Sequence, residues 1–444
     1  MTKRDERDGW VVTKAGLVVP RRALLRGGLA GFAAAMMSRA LPGCGPATSD
    51  PDAGRDGGRD GGPPDGGPPA DAGPLAFPPR EGIPAPPALR SLIADIGPLG
   101  DPDANGVRLP AGFTSRVIAR SGQVVEGTDY TWHSLPDGGA TFATEDGGWI
   151  YVSNSETPLR GGAGAVRFDA SGAIVGAHPI LERTNINCAG GKTPWHTWLS
   201  CEEFGRGQVF ECDPWGEHAP IVRPALGLFQ HEAVVVDPVN GHLYLTEDQG
   251  DGCLYRFTPS GTTAHGTPDL RAGRLEVASV ASGGAVTWRE LPDPQFTGST
   301  ATRSQVAEAT PFDGGEGVVF HEGTVYFSTK GDNRIWAFEI DASQLTILYD
   351  GDAMASPPLR GVDNLTVSCC GDVLVAEDGG SMQIVAILPS GELVPIMQIV
   401  GQDSSEVTGP AFDPSGTRLY FSSQRGSGAG GITYEVTGPF HEPA

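Results

Sequence analysis

The chain has 444 residues, with 54 Asp and Glu against 31 Lys and Arg and a formal net charge of −23. That length exceeds one small core and suits a single large β domain with extensions. So acidic a chain will not bind nucleic acid non-specifically, because phosphate repels it; its charge fits either plain solubility outside the cytoplasm or a scaffold neutralised by divalent cations.

Residues 1–43 read as an export signal. Lys3, Arg4 and Arg7 make a basic start, Arg21-Arg22 before Ala23-Leu24-Leu25-Arg26 is a twin-arginine pattern, and Gly27 to Met37 is a short apolar segment. Leu41-Pro42-Gly43-Cys44 then resembles a lipoprotein processing site, with Cys44 as the lipidated first residue; the alternative is an ordinary cysteine behind a cleaved signal. The expectation is a periplasmic or cell-surface lipoprotein, monomeric, touching the membrane only through Cys44. No later segment is long and apolar enough to cross a membrane. Loss of residues 1–43 removes eight Lys/Arg and three Asp/Glu and takes the charge to about −28. Residues 44–88, rich in Asp, Gly and Pro, cannot bury enough apolar surface to fold and read as a disordered tether. The folded domain is then 89–444.

Asp101-Pro102-Asp103-Ala104-Asn105-Gly106 opens like a calcium loop, but Gly112 stands where an EF-hand needs its Glu, so it reads as an Asx-rich turn. Phe113 to Ala119 reads as a strand closing a ring beside Ile432 to Val436. Between them one hairpin recurs. It is clearest in QHEAVVVDPVNGHLYLTED, residues 230–248, where two β-rich runs flank an Asn240-Gly241 turn. Its second strand returns at residues 151, 198, 244, 326, 374 and 420, with spacings of 47, 46, 82, 48 and 46. A period of this length marks a β-propeller, and six copies predict an all-β, six-bladed one. The 82-residue gap reads as one blade carrying an insertion of about 36 residues near 259–311.

In a propeller the innermost strand starts on one face beside the axis and the second strand returns to it. Strand starts Glu232, Glu316 and Asn364, and strand ends Asn154, Cys201, Glu247, Thr329, Glu377 and Ser423, therefore converge there. Carboxylates and amides suit hard cations such as calcium, and a thiolate admits a transition metal. Cys201 shares its repeat position with Glu247 and Glu377, which favours a ligand over a buried apolar thiol.

The motifs NCAGGKTPWHTWLSCEE (187–203), HEAVVVDPVNGHLYLTED (231–248), EGVVFHEGTVYFS (316–328), DNLTVS (363–368) and VLVAEDGG (373–380) resemble those of the PhoX-type alkaline phosphatases. The resemblance implies a six-bladed propeller with a calcium and iron (Ca2+, Fe3+) cluster, a cysteine thiolate on iron, and hydrolysis of small phosphomonoesters by a metal-bridging oxygen. By position it implies Cys201 as the thiolate ligand and Glu202, Glu232 and Glu316 as cluster carboxylates, with Cys201, Glu202 and Glu316 closest to the chemistry. Asn154, Glu156, Glu247, Asp363, Asn364, Glu377 and Asp378 also fall in family motif positions. The chain departs from the pattern in places. Gly314 stands where the family has a phosphate-binding Arg, Gln230 stands for a basic residue, and Asn154-Ser155-Glu156 stands for Asn-His-Glu. Lys330 or Arg334 are the candidates to supply the missing positive charge. Two other readings stay open: a single-calcium lactonase-type propeller, which would not need Cys201 and Glu202, and a non-catalytic binding propeller stiffened by metals. No nucleophile-elbow pattern is present. Among the remaining cysteines, Cys369 and Cys370 are adjacent and read as packing or turn residues.

Overall fold

The computed structural model describes residues 76–427 and 430–444, together with two short strands, Trp10–Val12 and Val18–Pro20, that pair antiparallel in a separate N-terminal unit. Apart from those six residues, the expected export signal, Cys44 and residues 44–75 of the expected tether lie outside the described residues. The end of that tether is not loose. Phe77 is buried, and Arg80 pairs with Asp213 at 2.9 Å and with Glu217 at 2.8 Å while lying over the Trp215 ring. One aromatic and one arginine thus dock residues 76–80 on blade two, which composition alone did not reveal. Among the described residues no helix is long and apolar enough to cross a membrane.

Six antiparallel sheets of four or five strands form the ring of the domain, with Leu89–Ser91 and His441–Pro443 pairing as a two-stranded sheet beside it. Their innermost strands are Pro136–Ala143, Asn187–Lys192, His231–Val236, Gly315–His321, Val362–Val367 and Val407–Phe412, and each neighbours the next around a closed ring. The ring is sealed as expected: Thr114–Arg120 pairs antiparallel with Ile432–Thr437 as the outer strand of blade six. Sealing by the N-terminal strand removes the open edge a linear array would leave. Asp103 accepts from the backbone N–H of Asn105 and Val107, an Asx turn that delivers Val107–Arg108 to the outer edge of blade five. The insertion belongs to blade three. It supplies a fifth strand, Val286–Glu290, and a long return through Arg303.

Strands read as nearly continuous apolar runs because both faces are covered by neighbouring blades. Phe142, Ile150 and Val152 of blade one pack with Trp198 and Cys212 of blade two; Leu199, Cys201 and Val209 of blade two pack with Val234, Leu243 and Leu245 of blade three. Each such side chain contributes about 1.5–3 kcal/mol of burial. This inter-blade packing holds the strand starts in place around the axis.

Candidate metal centre

In every blade the pairing between first and second strands slips by one residue near the start of the first. The slips fall between Pro136 and Gly139, Asn187 and Gly190, His231 and Val234, Gly315 and Val318, Val362 and Leu365, and Thr408 and Ala411. A bulge of this kind re-aims a side chain out of the ladder. The residue one past the start of each slip is Asp137, Cys188, Glu232, Glu316, Asp363 or Gly409. A second set comes from the residue directly after each second strand: Glu156, Glu203, Asp248, Lys330, Asp378 and Gln424. Glu406, just ahead of blade six, joins them.

These side chains meet in three groups, each with its ligand atoms within 4.8 Å of one another: Cys188, Glu203 and Glu232; Glu232, Glu316 and Asp363; and Asp137, Glu156 and Glu406. Glu232 is common to two of them. The Cys188 Sγ donates to Glu232 Oε1 at 3.1 Å. The other oxygen, Glu232 Oε2, is buried and has no hydrogen-bond partner. Against these carboxylates stand two cations. The Lys330 Nζ lies 2.7 Å from Glu316, 2.9 Å from Asp363 and 3.3 Å from Asp378. Arg425, at the rim, lies 3.0 Å from Glu406. Burial pushes the Glu232 carboxyl well above its usual range, and Glu316 and Glu203 push it further. Burial does the same to Glu203, helped by Asp248, to Glu316, helped by Asp248, and to Asp137, helped by Glu156. Burial disfavours the Lys330 ammonium, but Asp363, Glu316 and Asp378 outweigh it and hold its pKa well above the ordinary lysine value. So many buried carboxyls for so few cations is an arrangement that added cations relieve. Oxygen donors suit a hard ion, and the single thiol suits a transition metal. With a buried carboxylate oxygen left unpartnered, the residues fit a metal cluster.

The family model for alkaline phosphatase PhoX matches residues 151–208 and 204–346. Over that stretch the chain is similar to the PhoX family. The solved structure of Pseudomonas fluorescens PhoX in complex with vanadate, a transition state analogue, has the same fold. The two share a TM-score of 0.62 and 17% sequence identity, over 79% of this chain and 98% of that one. Two more distant structures also match. A protein of unknown function from Bacteroides thetaiotaomicron has a TM-score of 0.48 at 9% identity, over 76% of this chain and 84% of that one. Regucalcin, a calcium-binding protein from Agrobacterium tumefaciens, has a TM-score of 0.42 at 16% identity, over 73% of this chain and 96% of that one. Neither is close enough in shape to bear on function. No curated protein matches the chain in sequence.

Of the residues that PhoX resemblance and repeat spacing nominate, Glu156, Glu232, Glu316, Asp363, Asp378 and Lys330 gather on this face. The others do not. Cys201 is fully buried in the apolar core between blades two and three, and burial raises its thiol pKa. The thiol among the carboxylates is Cys188. Glu202 accepts from the backbone N–H of Asn185 at 2.9 Å and Gln208 at 3.2 Å, so it holds a turn; Glu203 is the residue that faces the cluster. Glu377 likewise accepts from the N–H groups of Arg360, Ser381 and Gln383. Glu247 accepts from the Tyr255 hydroxyl at 2.6 Å and from Arg303 of the insertion at 3.2 Å. Asn154 donates to the carbonyls of Cys188 and Ala189 and accepts from Trp198 Nε1 and Ser200 Oγ, so it fixes the bulge that carries Cys188. Asn364 accepts from the Gly409 N–H at 2.8 Å and ties blade five to the bulge of blade six. Arg334 pairs with Asp332 and Asp350 on the third strand of blade four, away from the cluster. Lys330 is held by carboxylates rather than presented to substrate. Gly314 does border the cluster: a Cβ there would sit 3.4 Å from Asp248 Oδ1, and its φ of 71° favours glycine. Gln230, the other departure, donates to Glu203 at 2.9 Å.

Sequence reasoning missed Asp137, Cys188, Glu203, Asp248, Glu406 and Arg425. The signal for Cys188 was available. Lining up the first strands sets Asn187-Cys188-Ala189 beside Pro136-Asp137-Gly138, His231-Glu232-Ala233 and Gly315-Glu316-Gly317. The two glycines that follow Cys188 are there for closeness: a Cβ on Gly191 would lie 1.7 Å from the Val234 carbonyl of the next blade.

Proposed function

We propose that this protein is a metal-dependent phosphomonoesterase that holds calcium and iron on the propeller face. The match to the alkaline phosphatase PhoX family model supports a phosphatase acting on a small phosphate ester. The observation that carries the metal reading is Glu232, shared between two ligand groups and buried with one oxygen unpartnered. Cys188, Glu203 and Glu232 offer a thiolate with carboxylates and would hold iron; Asp137, Glu156 and Glu406 offer oxygens alone and would hold calcium. Such cations supply Lewis acidity and offset the charge of a transferring phosphoryl group. The chain's own residues do the rest. Asn154 orients the Cys188 segment through the two carbonyls it binds. Gln424 bridges Asp137 and Glu156, donating to the latter at 2.7 Å and keeping both carboxylates in one place. Arg425 is the half-exposed cation at the rim and is suited to meet an incoming phosphate, a role that Gly314 gives up.

One observation favours a second, non-catalytic reading: the Lys330 ammonium already pairs with Glu316 and Asp363, two of the three ligands in one group. In that reading the propeller binds metals for rigidity alone. The lactonase-type reading gains nothing from a site built around a thiol. Elemental analysis of the purified protein, together with hydrolysis of a generic phosphomonoester in calcium, separates them. Iron and calcium with turnover support the proposal. Full metal content without turnover would move the reading to the binding propeller, and calcium alone without phosphate release would overturn both the iron site and the activity.

The twin-arginine pattern at Arg21-Arg22 and the Cys44 context support export and lipid anchoring. Labelled palmitate incorporated by the natural chain and lost in Cys44→Ala is the expected result, and equal labelling of both would contradict it.

A further inference from the structure

A second set of metal-ligating groups lies at the other end of blade five. Its inner strand, Val362–Val367, begins at the cluster with Asp363 and runs to a hairpin at residues 368–372. Cys369 and Cys370 sit at that hairpin, with their sulfurs 3.6 Å apart. The C-terminal strand His441–Pro443, paired with Leu89–Ser91, brings His441 alongside. The ligand atoms of Cys369, Cys370 and His441 lie within 4.8 Å of one another.

The histidine decides what this cluster is for. His441 is only 5% exposed, and its Nδ1 lies 2.7 Å from the Gly416 carbonyl. A carbonyl only accepts, so Nδ1 carries the proton and Nε2 keeps its lone pair. That Nε2 is buried with no hydrogen-bond partner. An imidazole whose one nitrogen is anchored on a backbone carbonyl while the other is left open is the arrangement that metal-ligating histidines use. Cys369 is exposed, which leaves an entry path, and the Cys370 Sγ stays close by, 3.3 Å from the Leu89 carbonyl.

We propose that Cys369, Cys370 and His441 form a second metal site, separate from the cluster on the opposite face, for a thiophilic cation of the Zn2+ or Cu+ class. Two sulfurs and one imidazole match that class and not calcium. Binding forms two metal–sulfur bonds and one metal–nitrogen bond, and the two S–H protons leave to solvent. The bound ion would clamp the C-terminal strand to the blade-five hairpin.

The test is Co2+ titration of the reduced full-length protein, read through thiolate-to-cobalt absorption. Cys188 on the other face also contributes a thiolate, so the Cys188→Ala protein is titrated beside the natural chain. Strong absorption retained in Cys188→Ala and lost when Cys369→Ser/Cys370→Ser is added to Cys188→Ala is the expected result. Cys369→Ser alone changes only an exposed hairpin residue, keeps the fold, and should lose about half of the retained band, since intensity follows the number of sulfur ligands. Equal absorption with and without Cys369→Ser/Cys370→Ser in the Cys188→Ala background, absorption abolished by Cys188→Ala alone, or no thiolate band in any of the proteins would each overturn the site.

Discussion

Two sides of the propeller face solve the same electrostatic problem differently. On the side of blades four and five, Glu316, Asp363 and Asp378 are gathered around the Lys330 ammonium, so the chain supplies its own counter-charge. On the side of blades two and three, Cys188, Glu203 and Glu232 are brought equally close with no lysine or arginine among them, and Glu232 Oε2 is unpartnered. A buried carboxylate without a cation is costly, whereas one with a well-placed cation is tolerated. The contrast teaches that the first side is complete as folded, while the second is built for a cation from outside.

The sharpest way to break the contrast is to make the two sides alike. Lys330→Met leaves three carboxylates without their cation. In metal-free buffer it should lower stability by about 3–5 kcal/mol, the usual cost of removing one partner from a buried ion pair. Calcium should restore most of that loss, because the variant now resembles the other side. Chemical denaturation with and without calcium reads both values, and an unchanged midpoint would mean that Lys330 does not neutralise the group. Glu232→Gln works on the other side, removing the charge shared by two ligand groups. Its expected effect is a loss of metal affinity of roughly 100-fold, with a parallel loss of phosphomonoester turnover and little change in the metal-free protein's stability. Competition with a chelator measures it.

A smaller effect comes from pH. The carboxyls of Glu232, Glu203, Glu316 and Asp137 are all raised by burial above their unfolded values. The folded, metal-stripped protein therefore holds more protons than the unfolded chain, and its stability falls as pH rises through the folded values. Buried His133 and His231 are shifted the other way by burial, down to about 3. Their contribution is fully present above the unfolded histidine value and is lost on acidification, so it opposes the carboxyls only below about pH 6.5. From pH 7 to 9, among the described residues, only Lys192, lowered by desolvation to about 8, opposes the carboxyls, and one lysine is outnumbered by the four of them. The metal-stripped protein should lose thermal stability over that range, and saturating calcium should flatten the loss. A flat profile without metal would contradict the raised carboxyls.

The fold was legible because a propeller repeats: six copies of one hairpin at 46–48 residue spacing, with the single long gap marking the insertion in blade three. The faces of the strands were less legible. Side-chain direction alternates at every residue, so a slip of one turns a ligand position into a packing position. Taking residues 151 and 198 as equivalent to 244 put blades one and two one residue out of register. In the ladder Glu202, not Cys201, stands opposite a first-strand start as Glu247 and Glu377 do. The bulges compound this, because an extra residue in each first strand has no mark in composition. Glu232 and Glu316 are placed on the face because they open β-rich runs, whereas Asp363 is reached only through the family motif, the strand start being read one residue later at Asn364. Arg425 and Glu406 lie outside the recurring hairpin strands, where no repeat spacing pointed to them.

The central claim is that the thiol of the cluster is Cys188 and that Cys201 only packs. Iron content per chain, measured by elemental analysis on Cys188→Ala and Cys201→Ala prepared side by side, tests it most directly. Loss of iron in Cys188→Ala, with calcium kept through Asp137, Glu156 and Glu406, is the predicted result, while Cys201→Ala keeps its iron and loses only about 1–2 kcal/mol of stability to the small cavity it leaves. Iron retained in Cys188→Ala and lost in Cys201→Ala would contradict the account.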